Sequence, residues 1–507
     1  RWPLSELPPN FNYHQIDGLL ADNGDVMFAM LPFAFHADAA GQAYLNTDLL
    51  ESAELTSENP QTITYRINPA ATWDDGTPIT VEDFRAQWQA LSGTNPAFQA
   101  ASNNGYNQIA SVEQGADERE AIVTYSAPFA DWESLFSPLY PASTNSDPNV
   151  FNSGWTEEPQ VTGGPFRFDS IDRTAQTITL VRNENYWGDK AKLDRIIYRV
   201  IDLDAQVDAL ANDEIDFLDV GPDVNNFQRA QMIQGVEVRT AGGPNFRHLT
   251  MNGTSSVLQD VNVRLALSMA INRQAITQAM IGPLGAPPEP LGNHIFMANQ
   301  EGYVDNGSEV VPYDPERARQ MLETAGWTLE GETRRKDGQE LVIRMVIPSG
   351  VSTSQQEAEL VQGMLAEVGA RVNIEVVPLT DFFESYVTPG NFDFTVFSWI
   401  GTPYPISSSR SIYVSPEQGP EGLVIEQNYA RVGSPEIDQL FDEATAELDP
   451  QRAIEIANEI DRKIWEIGHS LTNYQRPDII AVKSNVANFG AMGFASVIYE
   501  DIGYAQA

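Results

Sequence analysis

The chain has 507 residues, too many for one hydrophobic core, and domains of roughly 100–200 residues predict that it divides into two to four. Its 42% hydrophobic, 10% aromatic and 20% charged residues describe a globular protein and exclude a disordered one. Seventy-one acidic residues against 30 basic ones give a formal charge of -41, which repels phosphate backbones and anionic lipid, so no nucleic acid partner is expected.

The absence of cysteine rules out disulfides, thiolate metal sites and a cysteine nucleophile. No apolar run reaches the ~18 residues of a membrane span, and the opening RWPLSELPPN has neither the basic nor the apolar region of a signal peptide. The chain as given is expected to be soluble, with any export signal removed ahead of residue 1.

Along the chain, QTITYRINP (61–69) alternates at period two and predicts a strand, followed by a turn built on Asp74, Asp75, Gly76 and Pro78. Thr80 with Asp83 forms a capping-box pattern for a helix through Phe84, Trp88 and Leu91. AIVTYS (121–126), TITLVRN (177–183), DRIIYRVI (194–201) and IDFLDV (215–220) read as further strands, with a short helix near 204–211. From Asp260 the pattern turns helical, with Asp260 as cap and an i,i+4 pairing to Arg264. Asp314 and Pro315 open another helix, which ends at Gly326. LVIRMVIP (341–348), a helix from about 354 to Glu367, and RVNIEVVPL (371–379) predict a strand-helix-strand unit with parallel strands. FDFTVFSWI (392–400) is the next strand, so the loop after it lies at a strand's C-terminal end, where open α/β sheets place ligands.

Signals for catalysis are scarce. His14, His36, His248, His294 and His469 have no metal-ligand spacing, and HExxH, GxSxG, GxxxxGK and GxGxxG are all missing. Asp74 and Asp75 read as turn formers, and Arg182, Asn183, Tyr186 and Trp187 as a packed loop after a strand. No cofactor or metal is expected, and the protein is read as a non-enzyme.

Five segments in register carry a resemblance: TWDDGTPITVEDF (72–84), TGGPFRF (162–168), LVRNENYWGDKAKLDRI (180–196), DVNVRLALSMAINRQAI (260–276) and YDPERARQMLETAGW (313–327). Together they resemble the extracytoplasmic solute-binding proteins of the oligopeptide/dipeptide class (family 5) that serve ABC importers. The resemblance implies an α/β, two-lobed periplasmic-binding-protein-like fold of cluster C type, with an extra α+β domain. It assigns 1–24, 163–246 and 473–507 to a discontinuous first lobe, 25–162 to the extra domain and 247–472 to the second lobe. The hinge strands fall near 246–252 and 470–477. It further implies a monomer that closes on a peptide or other small-molecule ligand, works with ABC permease subunits, and sits outside the cytoplasm, anchored through a lipid-modified cysteine ahead of residue 1.

The segment FSWIGTPYP matches the family stretch in which a tryptophan is followed three residues later by an aspartate that meets the peptide's ammonium. Trp399 stands at the tryptophan, but Thr402 stands at the aspartate, and a neutral hydroxyl cannot supply the charge-assisted bond. By the same matching Ser398 and Ile400 offer backbone groups to the ligand, Gly401 belongs to the same ligand-binding stretch, and Trp399, Tyr404 and Tyr413 form walls. Arg410 is the candidate for a ligand carboxylate. Asn252 and Tyr474 at the hinge, and Tyr106 and Asn104 in the extra domain, complete the expected site. A receptor for a sugar, opine or metal complex, a secreted hydrolase, and a sensory or adhesion protein stand as the competing readings.

Overall fold

The computed structural model describes residues 1–419 and 422–505. Its contacts divide the chain into two compact units, Arg1–Thr240 with Ala446–Leu448 and Ile479–Ala507, and Ala241–Thr445 with Asp449–Asp478. The division falls inside two long strands, Val236–Met251 and Ser470–Lys483.

The first unit holds two four-stranded sheets. One runs Trp2–Leu4, Arg195–Val200, Thr177–Arg182, Phe166–Asp172, with the first pair parallel and the rest antiparallel. The other is antiparallel throughout, ordered Leu50–Glu58, Gln61–Ile67, Glu120–Tyr125, Ile109–Gln114. Each sheet has its own core. Ile63, Tyr65, Phe84, Phe136 and Phe151 fill one; Trp2, Phe166, Leu180 and Tyr198 fill the other, joined by Val482, Val486 and Tyr499 from the C-terminal return. Val26, Met27 and Met30 belong to this second core, and Ala34 and Phe35 to the first. Alternation explains the sheets: Gln61–Ile67 is buried at every second residue, as its period-two pattern predicts.

The expected capping box is present, with the Asp83 carboxylate accepting the Thr80 N–H at 2.7 Å. Asp75 accepts the Thr77 N–H at 2.9 Å, the turn role read from sequence. In the loop after Thr177–Arg182, the Tyr186 hydroxyl donates to Asp48 at 2.9 Å and the Trp187 indole to the Asp48 carbonyl at 2.7 Å, tying it to the turn that precedes Leu50–Glu58.

In the second unit the far half of Val236–Met251 pairs antiparallel with Phe394–Ile400. Val342–Pro348 lies parallel both to Arg371–Val377 and, over two residues, to Phe394–Ile400. The helix Ser352–Ala366 joins the parallel pair, which realises the strand-helix-strand unit. Asp260 and Asp314 cap their helices through side-chain oxygens. Arg264 departs from the expected i,i+4 ion pair. Its guanidinium is buried and donates to the carbonyls of Leu258, Ile467 and Gly468 at 2.7, 2.7 and 3.0 Å, because a buried fork of five donors is best matched by several fixed acceptors.

Candidate functional site

The strand Phe394–Ile400 starts buried and ends open: Phe394 through Phe397 are core, Ser398 and Trp399 half-buried, and Ile400 is 74% exposed. Phe246 lies opposite Trp399, Arg247 opposite Ser398 and Asn245 opposite Ile400. The Gly401 N–H donates to the Pro244 carbonyl at 2.8 Å, carrying the ladder one residue further. In an antiparallel ladder, residues bonded to the partner strand alternate with residues whose N–H and C=O point the other way. With Gly401 bonded, Trp399 is bonded too, and Ser398 and Ile400 turn their main-chain groups outward. On that side Val342–Pro348 pairs only with Phe394 and Thr395. Among the described residues no strand pairs with Ser398 and Ile400 on that side, which makes them an open strand edge, a template to which an extended chain can add.

Beside this edge stands an aromatic stack. The Trp399 ring lies parallel to Tyr429 at 5.7 Å and 4°, and to His248 at 5.8 Å and 18°, with Phe397 edge-on at 5.2 Å. Phe397 and Trp399 share a face because side chains alternate along a strand. Burial, reinforced by the Arg247 guanidinium, pushes the His248 imidazole well below its usual range, so the stack carries no charge. Tyr429 was not read from the sequence: it lies in the loop EQNYARVG, without periodicity or motif, and only tertiary packing brings it to Trp399.

Past the strand the chain turns into the helix Pro405–Tyr413. The Thr402 hydroxyl donates to Ser408 Oγ at 3.1 Å and accepts the Tyr404 N–H at 3.1 Å, while its carbonyl accepts from Gln300 Nε2 at 3.0 Å. Thr402 thus serves as the clasp of this turn. Gly401 and Tyr404 flank it, both half-buried.

The other expected contacts are placed differently. Tyr413 is buried, with its hydroxyl donating to the His294 carbonyl at 3.2 Å. Asn252 is buried and holds the Gly390 and Phe392 carbonyls, each at 2.9 Å, while its oxygen accepts from Thr254. The Tyr474 hydroxyl donates to Glu357 at 2.7 Å, and the same carboxylate takes the buried Arg247 guanidinium, which also donates to Ser354 at 3.1 Å. Tyr106, in the first unit, accepts from Gln87 and Phe136 at 3.0 and 2.8 Å inside its core. All four side chains are held by partners within the protein. A buried polar group must find its partners internally, and once it has, little capacity is left for a ligand. Arg410 is paired with Asp442 at 2.9 Å on the surface. Asn104 is exposed in the first unit. Among the described residues no group of three His, Asp or Glu is placed to hold a metal.

Residues 45–421 match the profile described as bacterial extracellular solute-binding proteins, family 5 middle. The oligopeptide-binding protein OppA of Mycobacterium tuberculosis is 41% identical over 510 residues, covering 100% of this chain and 84% of the relative. Among solved structures, a periplasmic EDTA-binding protein, EppA, superposes with a TM-score of 0.90 at 26% identity, over 100% of this chain and 96% of the other. The oligopeptide-binding protein AppA of Bacillus subtilis, in complex with a nonapeptide, gives 0.77 at 19% identity, over 99% and 98%, a likeness of fold alone.

Proposed function

Because the chain belongs to the family 5 bacterial extracellular solute-binding proteins, we propose that it binds peptides and delivers them to the permease of an ABC importer. The observation that carries this reading is the open edge of Ser398 and Ile400 beside the Trp399–Tyr429 stack. A peptide laid along the edge bonds through its main chain, at about 1 kcal/mol net per bond, so affinity accrues without a demand on sequence. Trp399 and Tyr429 offer apolar faces to whatever side chain lies over them. Ser398, Trp399, Ile400, Gly401, Thr402 and Tyr404 are the ligand-contacting residues of this reading.

Thr402 sharpens the ligand class. No carboxylate stands at this position, and the hydroxyl is engaged with Ser408 and Tyr404. At this edge peptides are held through backbone and aromatic contacts, and position 402 supplies no carboxylate for their amino terminus. The protein is a binding protein, not an enzyme, and acts as a monomer outside the cytoplasm, held by a lipid anchor. No helix among the described residues is long and apolar enough to cross a membrane. The likeness to the EDTA-binding protein supports a second reading, a polycarboxylate complex as ligand. Against it, residues 398–404 carry no cation and Arg410 is already paired.

Native mass spectrometry of the purified protein, before and after mild denaturation, tests the proposal. A ladder of co-purified peptides is expected, and saturating peptide should raise the melting temperature, since ligand at 100 times Kd adds about 2.7 kcal/mol. An empty protein that gains no stability from any peptide pool would overturn it.

A further inference from the structure

The first unit contains a cavity of about 280 Å³ that the peptide reading does not use. It lies where the helix Ala21–Met27, the segment Phe28–His36 and the C-terminal residues 495–500 come together. Its walls are unusual in two respects. The only charged residues among them are two carboxyls, Asp25 and Glu500, and the rest of the wall is rich in rings: Phe28, Phe33, His36, Tyr186 and Tyr499. Phe28 meets Phe33 edge-on at 5.1 Å, and Phe33 stacks on His36 at 5.9 Å.

The electrostatics around the cavity are one-sided. Asp25 takes one bond, from the Trp2 indole at 3.2 Å, and the nearby charges that act on it are Asp22 and Asp219. The charges that act most on Glu500 are Asp48, Asp501 and Asp189. The Lys192 ammonium, close to this cluster, is committed to Asp501. Tyr198 and Tyr499 direct their hydroxyls to the Asp25 backbone carbonyl at 2.7 and 2.9 Å, leaving its carboxylate without them. Burial, with these acidic neighbours, pushes Asp25 and Glu500 each up to about 7. Burial also lowers His36 to about 4, so its ring is neutral and brings no compensating charge, and its Nδ1 is buried without a hydrogen-bond partner.

From the carboxyls, the rings and the absence of any cation in the wall, we infer that this cavity binds an alkylammonium group. An ammonium satisfies an acidic wall with three donors, and ring faces attract it through their quadrupoles. The volume, just under the ~300 Å³ at which drug-sized sites begin, suits a head of a few heavy atoms. An anion would meet two carboxyls with no counter-charge, and a neutral apolar guest would leave both unpaired. The ammonium can belong to a free amine or to the amino terminus of a peptide; the second source rests on the peptide reading above.

Calorimetric titration of the full chain with ethanolamine and putrescine, and with Ala-Ala-Ala against N-acetyl-Ala-Ala-Ala, tests this. If free amines are the ligand, they bind the wild type and lose at least tenfold in affinity in the Asp25→Asn, Glu500→Gln double variant, while a peptide pool still raises the melting temperature of both. If the ammonium is a peptide's own, the free tripeptide binds at least tenfold more tightly than the acetylated one, and the double variant removes that preference. In either case wild-type binding releases protons, seen as heats that differ between buffers of unlike ionisation enthalpy, a readout that needs no variant. Amines that do not bind, together with tripeptides that bind equally, would overturn the inference without touching the peptide reading, which the peptide pool tests separately.

Discussion

Two neighbouring regions of the second unit are built to opposite ends. In the knot of Arg247, Glu357, Ser354 and Tyr474 every charge and hydroxyl is buried and bonded to another member. In the stack of Trp399, Tyr429 and His248 the indole lies against both other rings, and Trp399 and Tyr429 remain half-buried, next to main-chain groups that no strand among the described residues covers. Arg247 and Ser398 are direct cross-strand partners, so a single residue pair separates the two regions. A polar residue therefore serves the fold when its bonding capacity is filled from within, and serves a ligand when some is left over. Sequence position alone does not distinguish the two.

The sharpest way to break the comparison is Glu357→Ala. It leaves the Arg247 guanidinium buried and unpaired, so unfolding by denaturant should show a loss of about 3–5 kcal/mol, and a loss under 1 kcal/mol would mean the knot is not what holds these strands. Trp399→Ala should do the reverse. It should cost peptide affinity roughly 30-fold, about 2 kcal/mol, with a much smaller change in stability, as for an aromatic anchor at a binding surface. Equal damage to stability and binding would make Trp399 a core residue.

The first unit supplies a pH test of the same idea, since the carboxyls of Asp25 and Glu500 are half-buried in a wall that holds no compensating cation. Both sit at about 7 in the folded protein, raised by burial from ordinary values of 3.8 and 4.5. The folded state thus holds these protons more tightly than the unfolded one. Their contribution to stability is full below about pH 4 and is lost as pH rises through 7. The melting temperature of Glu500→Gln should fall less steeply between pH 5 and pH 8 than that of the wild type, and parallel profiles would refute the assignment. The smallest effect is expected for Arg410→Ala, an exposed pair with Asp442. Stability should move by no more than about 0.5 kcal/mol, and affinity for peptides with a free carboxyl terminus should stay within twofold; a tenfold loss would show that Arg410 exchanges Asp442 for the ligand.

Much of the fold was legible because it rests on local signals. The Thr80–Asp83 cap, the Asp314–Pro315 helix start and the parallel pair flanking Ser352–Ala366 follow from spacing and periodicity, which short-range geometry enforces. The strand ending at Ile400 was legible for the same reason. What was not legible depends on burial and on partners distant in sequence. Arg264 looked like a partner for Asp260 four residues away, yet Ile467 and Gly468, some two hundred residues on, supply its acceptors. Tyr413, Asn252 and Tyr474 carry no local sign of their partners His294, Gly390 and Glu357, which lie 119, 138 and 117 residues away in the chain. Tyr429 gave no signal at all, since nothing in EQNYARVG announces that its ring will cover Trp399.

Ile400 joins two properties that are seldom found together, a main chain fixed in register opposite Asn245 and a side chain 74% exposed. Mutation at this position can therefore sample size, polarity and charge beside the open edge without disturbing the ladder that positions it. Descendants of such a protein could change what they prefer to carry while their folding remained intact, which makes this strand end a place where new specificities can arise by single substitutions.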